Sequence, residues 1–138
     1  HTFRAHGEEA EGVGLLDVTT APLPRRATGE LASEPTRAGV TAELSEPLTG
    51  FENHMGATVL GPDASALGRV TRGIGNGDAK VDGVVQGSVV ATYMHGPALA
   101  RNPQLADLLI ARAFDIPLAE LEPLELDAVT KLREERLR

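Results

Sequence analysis

The sequence predicts part of an α/β domain. Short strand-like segments follow one another up to Met94, and helical periodicity begins only after it. Hydrophobic residues make up 41% of the chain and aromatics 3%, so the core must be built from Leu, Val and Ala. The 138 residues suffice for one domain with a core of its own. A single domain over 1–138 is therefore expected. It is expected to be partial, because the opening HTFRAHGEEAEG reads as the middle of a domain.

The elements read as follows. Residues 1–11 are polar and read as a helix tail and a loop. Residues 12–20 are apolar and β-branched, an extended entry. Pro22, Pro24 and Pro35 punctuate the next stretch, which reads as loop with a short extended piece near Gly29–Leu31. Val40, Ala42 and Leu44 alternate with Thr41 and Glu43, the pattern of a half-buried strand. LTGFENHMG reads as a short strand ending in a polar loop, and residues 57–83 as two strand-like pieces split by Gly-Pro-Asp. GIGNGD reads as an exposed turn. It lacks the order of a dinucleotide loop, and Asp78 and Asp82 would repel phosphate. Two strands flank Gln86-Gly87, the second apolar on both faces and expected to be covered on both. Asn102 as cap and Pro103 in the first turn start a helix whose stripe is Leu105, Leu108, Leu109, Arg112 and Ala113, and Pro117 stops it. A last helix spans roughly Leu124–Leu137. Its acids come early and its bases late, which suits the helix dipole. Its charges read as a solvated face, with packing of Leu132 and Leu137 on a partner as the minor alternative.

Composition excludes several functions. A net charge of −7 and a pI near 5.0 argue against non-specific binding to nucleic acid or anionic membrane. No apolar run reaches the ~20 residues of a membrane span, so membrane insertion is not expected. Zero cysteines exclude disulfides and thiolate metal sites and fit a cytoplasmic protein. Two histidines, His54 and His95, with scattered acids make a poor zinc site, and His1 and His6 read as solvent-exposed.

His95 is the candidate for chemistry. It follows VVATYM and precedes Gly96-Pro97 and a helix, where open α/β sheets place catalytic groups. An imidazole there can carry protons near neutral pH. The competing reading is a histidine that packs or hydrogen-bonds in a loop. Ser45, Ser65 and Ser88 have no nucleophile-elbow context.

The segments EGVGLLDVTT, RRATGEL, GFENHMGATVLG, DGVVQGSVVATYMHGP and RNPQLADLL, in this order, resemble class I glutamine amidotransferases of the CobB/CobQ type. Within them they resemble the GatD type of lipid II isoglutaminyl synthase. The resemblance implies the C-terminal half of a flavodoxin-like class I glutamine amidotransferase domain, a mixed sheet with flanking helices. It also implies a Cys-His site. His95 matches the catalytic histidine, and the family's cysteine elbow precedes the segment that matches His1–Phe3. The 138-residue chain alone is therefore expected to be inactive. Arg26, in RATGE, matches an arginine that grips glutamine, as a fixed guanidinium can grip a carboxylate. Arg25 takes that place if the register shifts by one. Glu52, Asn53 and His54 are expected to shape a supporting loop, and Ala57 stands where the family carries an arginine. Pro97 stands where many class I enzymes carry the acid that orients the histidine. The resemblance implies that the partner lends an aspartate instead, and Glu52 and Asp17 are the weaker candidates within the chain.

The function so implied is that of a glutaminase subunit. It would pass ammonia to a MurT-type, Mur-ligase-like partner that amidates D-glutamate in lipid II, in the cytoplasm. Glutamine is the small-molecule substrate. This chain would hold no cofactor, and ATP and Mg would belong to the partner. The alternatives are an amidotransferase domain of cobyric or cobyrinic acid synthase, or a non-catalytic binding module. Apolar faces left open by a partial sheet would favour self-association.

Overall fold

The computed structural model describes residues 2–5, 8–124 and 126–138. Strands β1 (Thr2–Ala5), β2 (Glu8–Glu11), β3 (Val18–Pro35), β4 (Leu48–Leu60), β5 (Gly68–Arg72) and β6 (Val81–Asp82) form one sheet in the order β2-β1-β3-β5-β6, with β4 also paired to β3. The β1–β3 pair is parallel and the others antiparallel, so the sheet is mixed, as expected. Strands β7 (Val84–Gln86) and β8 (Val89–Ala91) make a separate hairpin. Helices α1 (Ala98–Arg101), α2 (Pro103–Phe114) and α3 (Asp127–Leu137) follow.

Several elements differ from the sequence reading. The opening is a β1–β2 hairpin rather than a helix tail, and β3 starts only at Val18. The proline-rich stretch is not a loop but β3 itself. Its pairing with β4 breaks between Pro22 and Ala27, and that irregularity accommodates Pro24, which has no ladder N–H to give. Residues 39–41 form a 3-10 turn rather than a strand. Leu44 is nonetheless fully buried, so its apolar signal was a core signal and not a strand signal. LTGFENHMGATVL is one continuous strand, β4, with no loop at Glu52, Asn53 and His54. The Gly73–Gly77 segment is a turn, but Gly75, Asn76 and Gly77 are buried rather than exposed.

The hairpin forms, with its turn one residue on at Gly87-Ser88 because Gln86 pairs with Val89, and β8 stops at Ala91 and is half-buried, not covered on both faces. Asn102 and Pro103 do open α2, and Asp115 closes it in the left-handed region, before Pro117. The buried stripe is Leu105, Leu108 and Ala111, whereas Leu109, Arg112 and Ala113 are exposed.

The core gathers Leu31, Leu44, Leu48, Leu67, Val85, Met94, Leu105 and Leu108. It lies against one face of the β3–β4 ribbon, the face of Ala27, Leu31, Glu52 and His54. Residues of the opposite face, Thr28, Phe51, Asn53, Met55 and Val59, are exposed. Helix α1 reaches that face at its end, where Arg101 donates to Thr49 Oγ1 at 3.0 Å.

Candidate active site

His95 is not at a strand end. It lies in the irregular segment 92–97, between β8 and α1, and joins the main sheet through a single bridge to β4. His95 N–H donates to Phe51 O at 2.7 Å, and Phe51 N–H donates to His95 O at 3.3 Å. Close approach of this segment to β4 needs Gly50, since a Cβ there would meet Met94 Cβ at 2.4 Å. Directly opposed antiparallel residues share a face, so the His95 side chain lies with Phe51 on the open side of the ribbon, and it is exposed.

Asn53 is two residues along β4 from Phe51, about 7 Å on the same face. Arg26, in the irregular part of β3, donates through Nη1 to Asn53 Oδ1 at 3.0 Å. The open face thus carries His95, Phe51, Asn53 and Arg26, with His95 bridged to one edge of β4 and Arg26 reaching over from β3 on the other. Arg26 is exposed and free to meet a second acceptor. A guanidinium so placed can hold a carboxylate, and an imidazole can carry a proton.

Glu52 and His54 point the other way. Glu52 is 2% exposed, and its carboxylate accepts Ile74 N–H at 2.8 Å and Gly75 N–H at 2.9 Å. His54 stacks on Tyr93 with ring centroids 3.7 Å apart, and its Nδ1 lies 2.9 Å from Gly56 O. The Tyr93 hydroxyl bonds Thr58 Oγ1 at 2.8 Å. These two side chains brace the Gly73–Gly77 turn and the segment before His95. They do not line the open face.

Among the described residues, no acid bonds the His95 ring. Glu52 is committed to the turn. Asp17 accepts Asp63 N–H at 3.0 Å and its backbone carbonyl receives Gly61 N–H, in a different loop. No cluster of three possible metal ligands occurs among the described residues. His1 and His6 lie outside those residues. A cleft of about 870 Å³ opens between α2 and α3, lined in part by Gln104, Leu124, Leu126 and Arg133. His95, Arg26 and Asn53 do not line it.

The chain matches the family of CobB/CobQ-like glutamine amidotransferase domains over residues 2–103. It belongs to that family. The CobB/CobQ-like domain is 37% identical over 122 residues to the lipid II isoglutaminyl synthase subunit GatD of Staphylococcus aureus (strain N315), covering 88% of this chain and 46% of that protein. It is 36% identical over 112 residues to GatD of Streptococcus pneumoniae (strain ATCC BAA-255 / R6), covering 80% of this chain and 41% of that protein. Against the cobyric acid synthase of Sphingopyxis alaskensis it is 39% identical over 105 residues, 75% of this chain and 19% of that protein. The chain spans less than half the length of these relatives. No helix among the described residues is long and apolar enough to cross a membrane.

Sequence reasoning missed one feature of this CobB/CobQ-like domain, Asp82. It is fully buried and bonded to Thr92 and Tyr93, just ahead of His95. Burial pushes its carboxyl above the usual carboxylate range and Glu52 adds to this. The bonds from Thr92 and Tyr93, and the charge of His54, act against it.

Proposed function

We propose that this chain is part of a GatD-type glutaminase subunit and that His95 carries its protons. The observation that carries the reading is the open face on which Arg26 and His95 lie together, in a chain whose match to GatD runs further than its match to cobyric acid synthase, 88% against 75% of its length. Arg26 holds the α-carboxylate of glutamine and extends the side-chain amide towards His95. A thiolate attacks the amide carbon, His95 gives a proton to the departing ammonia, and water then hydrolyses the thioester with His95 as base. The chain has no cysteine, so the sulfur comes from residues outside these 138, and the chain alone releases no ammonia from glutamine. The ammonia passes to a MurT-type, Mur-ligase-like partner. That partner holds ATP and Mg and amidates D-glutamate of lipid II in the cytoplasm. The cobyric acid synthase reading is the alternative.

The test uses the full-length protein with its ligase partner, ATP, Mg, lipid II and amide-labelled glutamine. Label is expected in the α-amide of the stem peptide. His95→Gln is expected to remove at least about 100-fold of the glutaminase rate. Ammonia release without transfer to lipid II would refute the acceptor, and an unaffected His95→Gln would refute the site.

A further inference from the structure

We propose that Asp82 is a positioning residue for His95, acting through the Thr92 hydroxyl. This deepens the function proposed above and rests on it. Residues 92–94 have no strand partner among the described residues, yet they set where His95 enters the open face. One carboxylate orders all three. Asp82 Oδ2 accepts the Thr92 hydroxyl, and Asp82 Oδ1 accepts Tyr93 N–H at 3.3 Å. Thr92 Oγ1 in turn accepts Met94 N–H at 3.0 Å. The next residue is His95, pinned to Phe51 by two backbone bonds.

Asp82 is held as firmly as what it holds. It sits on β6, its carbonyl accepts Leu67 N–H at 3.0 Å, and the Asn76 side chain clamps the following Gly83 at both its N–H and its carbonyl. Burying a carboxyl completely is costly unless its oxygens are satisfied. Here both oxygens are spent on the approach to the imidazole. A displacement of about 1 Å at a reacting group can cost on the order of 100-fold in rate, so the network has a catalytic effect although Asp82 touches no substrate.

The test measures glutamine hydrolysis by the full-length protein with its partner, well below the melting temperature of each variant. Thr92→Val keeps the shape and removes the hydroxyl, whereas Thr92→Ser keeps the hydroxyl. Thr92→Val and Asp82→Asn are each expected to lower kcat by about 10-fold or more with KM for glutamine within about 2-fold. Thr92→Ser is expected to stay near wild type. Should Asp82→Asn not fold, the Thr92→Val and Thr92→Ser pair decides. Equal kcat for Thr92→Val and wild type, or equal losses for Thr92→Val and Thr92→Ser, would overturn the proposal while leaving the glutaminase reading intact. A wild-type protein that releases no ammonia would overturn both.

Discussion

Arg26 reaches from β3 to donate to Asn53 Oδ1 on β4 at 3.0 Å, on the face that His95 shares through its bridge to Phe51. The guanidinium is thereby aimed rather than free to sweep. If it grips the glutamine carboxylate, removing it costs a charge-assisted bond of about 1.5–3 kcal/mol. In the full-length protein, Arg26→Ala should then raise KM for glutamine by roughly 10- to 150-fold. Arg26→Lys should recover only part of this, since an ammonium cannot make the paired contact. Asn53→Ala should raise KM less than Arg26→Ala, because it frees the arginine without removing it. Steady-state kinetics of the three variants check the order.

Glu52 should prove a stability residue. Its two oxygens are the acceptors for Ile74 and Gly75 N–H in a buried place. Glu52→Gln turns one acceptor into a donor that faces a backbone N–H, at a cost of about 1–3 kcal/mol. Gly73→Ala should act on the same contact. Gly73 has φ of +94°, and a Cβ there would meet Glu52 Oε1 at 2.8 Å and Leu31 Cδ1 at 2.9 Å. Chemical denaturation of both variants should show lowered midpoints. An unchanged midpoint for Glu52→Gln would mean that the turn is held by something else.

What could be read in the sequence divides along physical lines. Local chemistry was legible: a hairpin turn forms beside Gln86, at Gly87-Ser88, and Asn102-Pro103 opens α2. Asn102 reveals the limit even there. Its side chain does not cap the helix but bonds Thr49 N–H and the carbonyls of Thr49 and Ala98. Non-local outcomes were not legible. Pro24 signals a loop unless the strand itself carries an irregularity to absorb it, and β3 does, with extra residues between Pro22, paired to Gly56, and Ala27, paired to His54. Val40, Ala42 and Leu44 alternate like a strand, but the backbone at 39–42 closes a 3-10 turn instead, with Ala42 N–H bonded to Gly39 O. In the candidate site, His95 and Arg26 stand out by their flanking motifs, whereas Asp82 is tied to His95 by nothing in the sequence. Its meaning depends on Thr92, ten residues on, across a hairpin.

The raised carboxyl of Asp82 has a stability consequence whose sign is fixed. Burial is the main cause, helped by Glu52 and opposed by Thr92, Tyr93 and His54. In the unfolded chain the carboxyl ionises near the ordinary value of about 3.9. Between that value and the raised folded one, the native state binds more proton than the unfolded state. Stability contributed by Asp82 is therefore present at low pH and is lost as pH rises through that window. Subtracting the unfolding free energy of Asp82→Asn from that of wild type across pH isolates this slope. The difference should fall with rising pH above about 4. A difference that rises with pH would show that the Thr92 and Tyr93 bonds outweigh burial.

Arg101 and Arg133 allow a ranking of ion pairs. Arg101 is buried at the end of α1 and donates through Nη2 to Glu30 Oε2 at 2.5 Å, while its Nε has no partner among the described residues. Arg133 donates through Nη2 to Glu46 Oε2 at 3.1 Å, but the Glu46 side chain is 52% exposed against 26% for Glu30. Removing Glu46 leaves a guanidinium that still bonds the carbonyls of Arg101 and Pro47. Removing Glu30 leaves a buried cation with only the Thr49 hydroxyl among the described residues and forces Arg136, 3.5 Å from Glu30, to find other company. Glu46→Ala should therefore cost no more than about 1 kcal/mol. Glu30→Ala should cost about 3 kcal/mol or more, because an uncompensated buried charge is the larger penalty. Raising the salt concentration should narrow the effect of Glu46→Ala and leave that of Glu30→Ala nearly unchanged. Equal costs for the two variants in urea unfolding would mean that Arg101 is better solvated than its position at the α1–β4 junction implies.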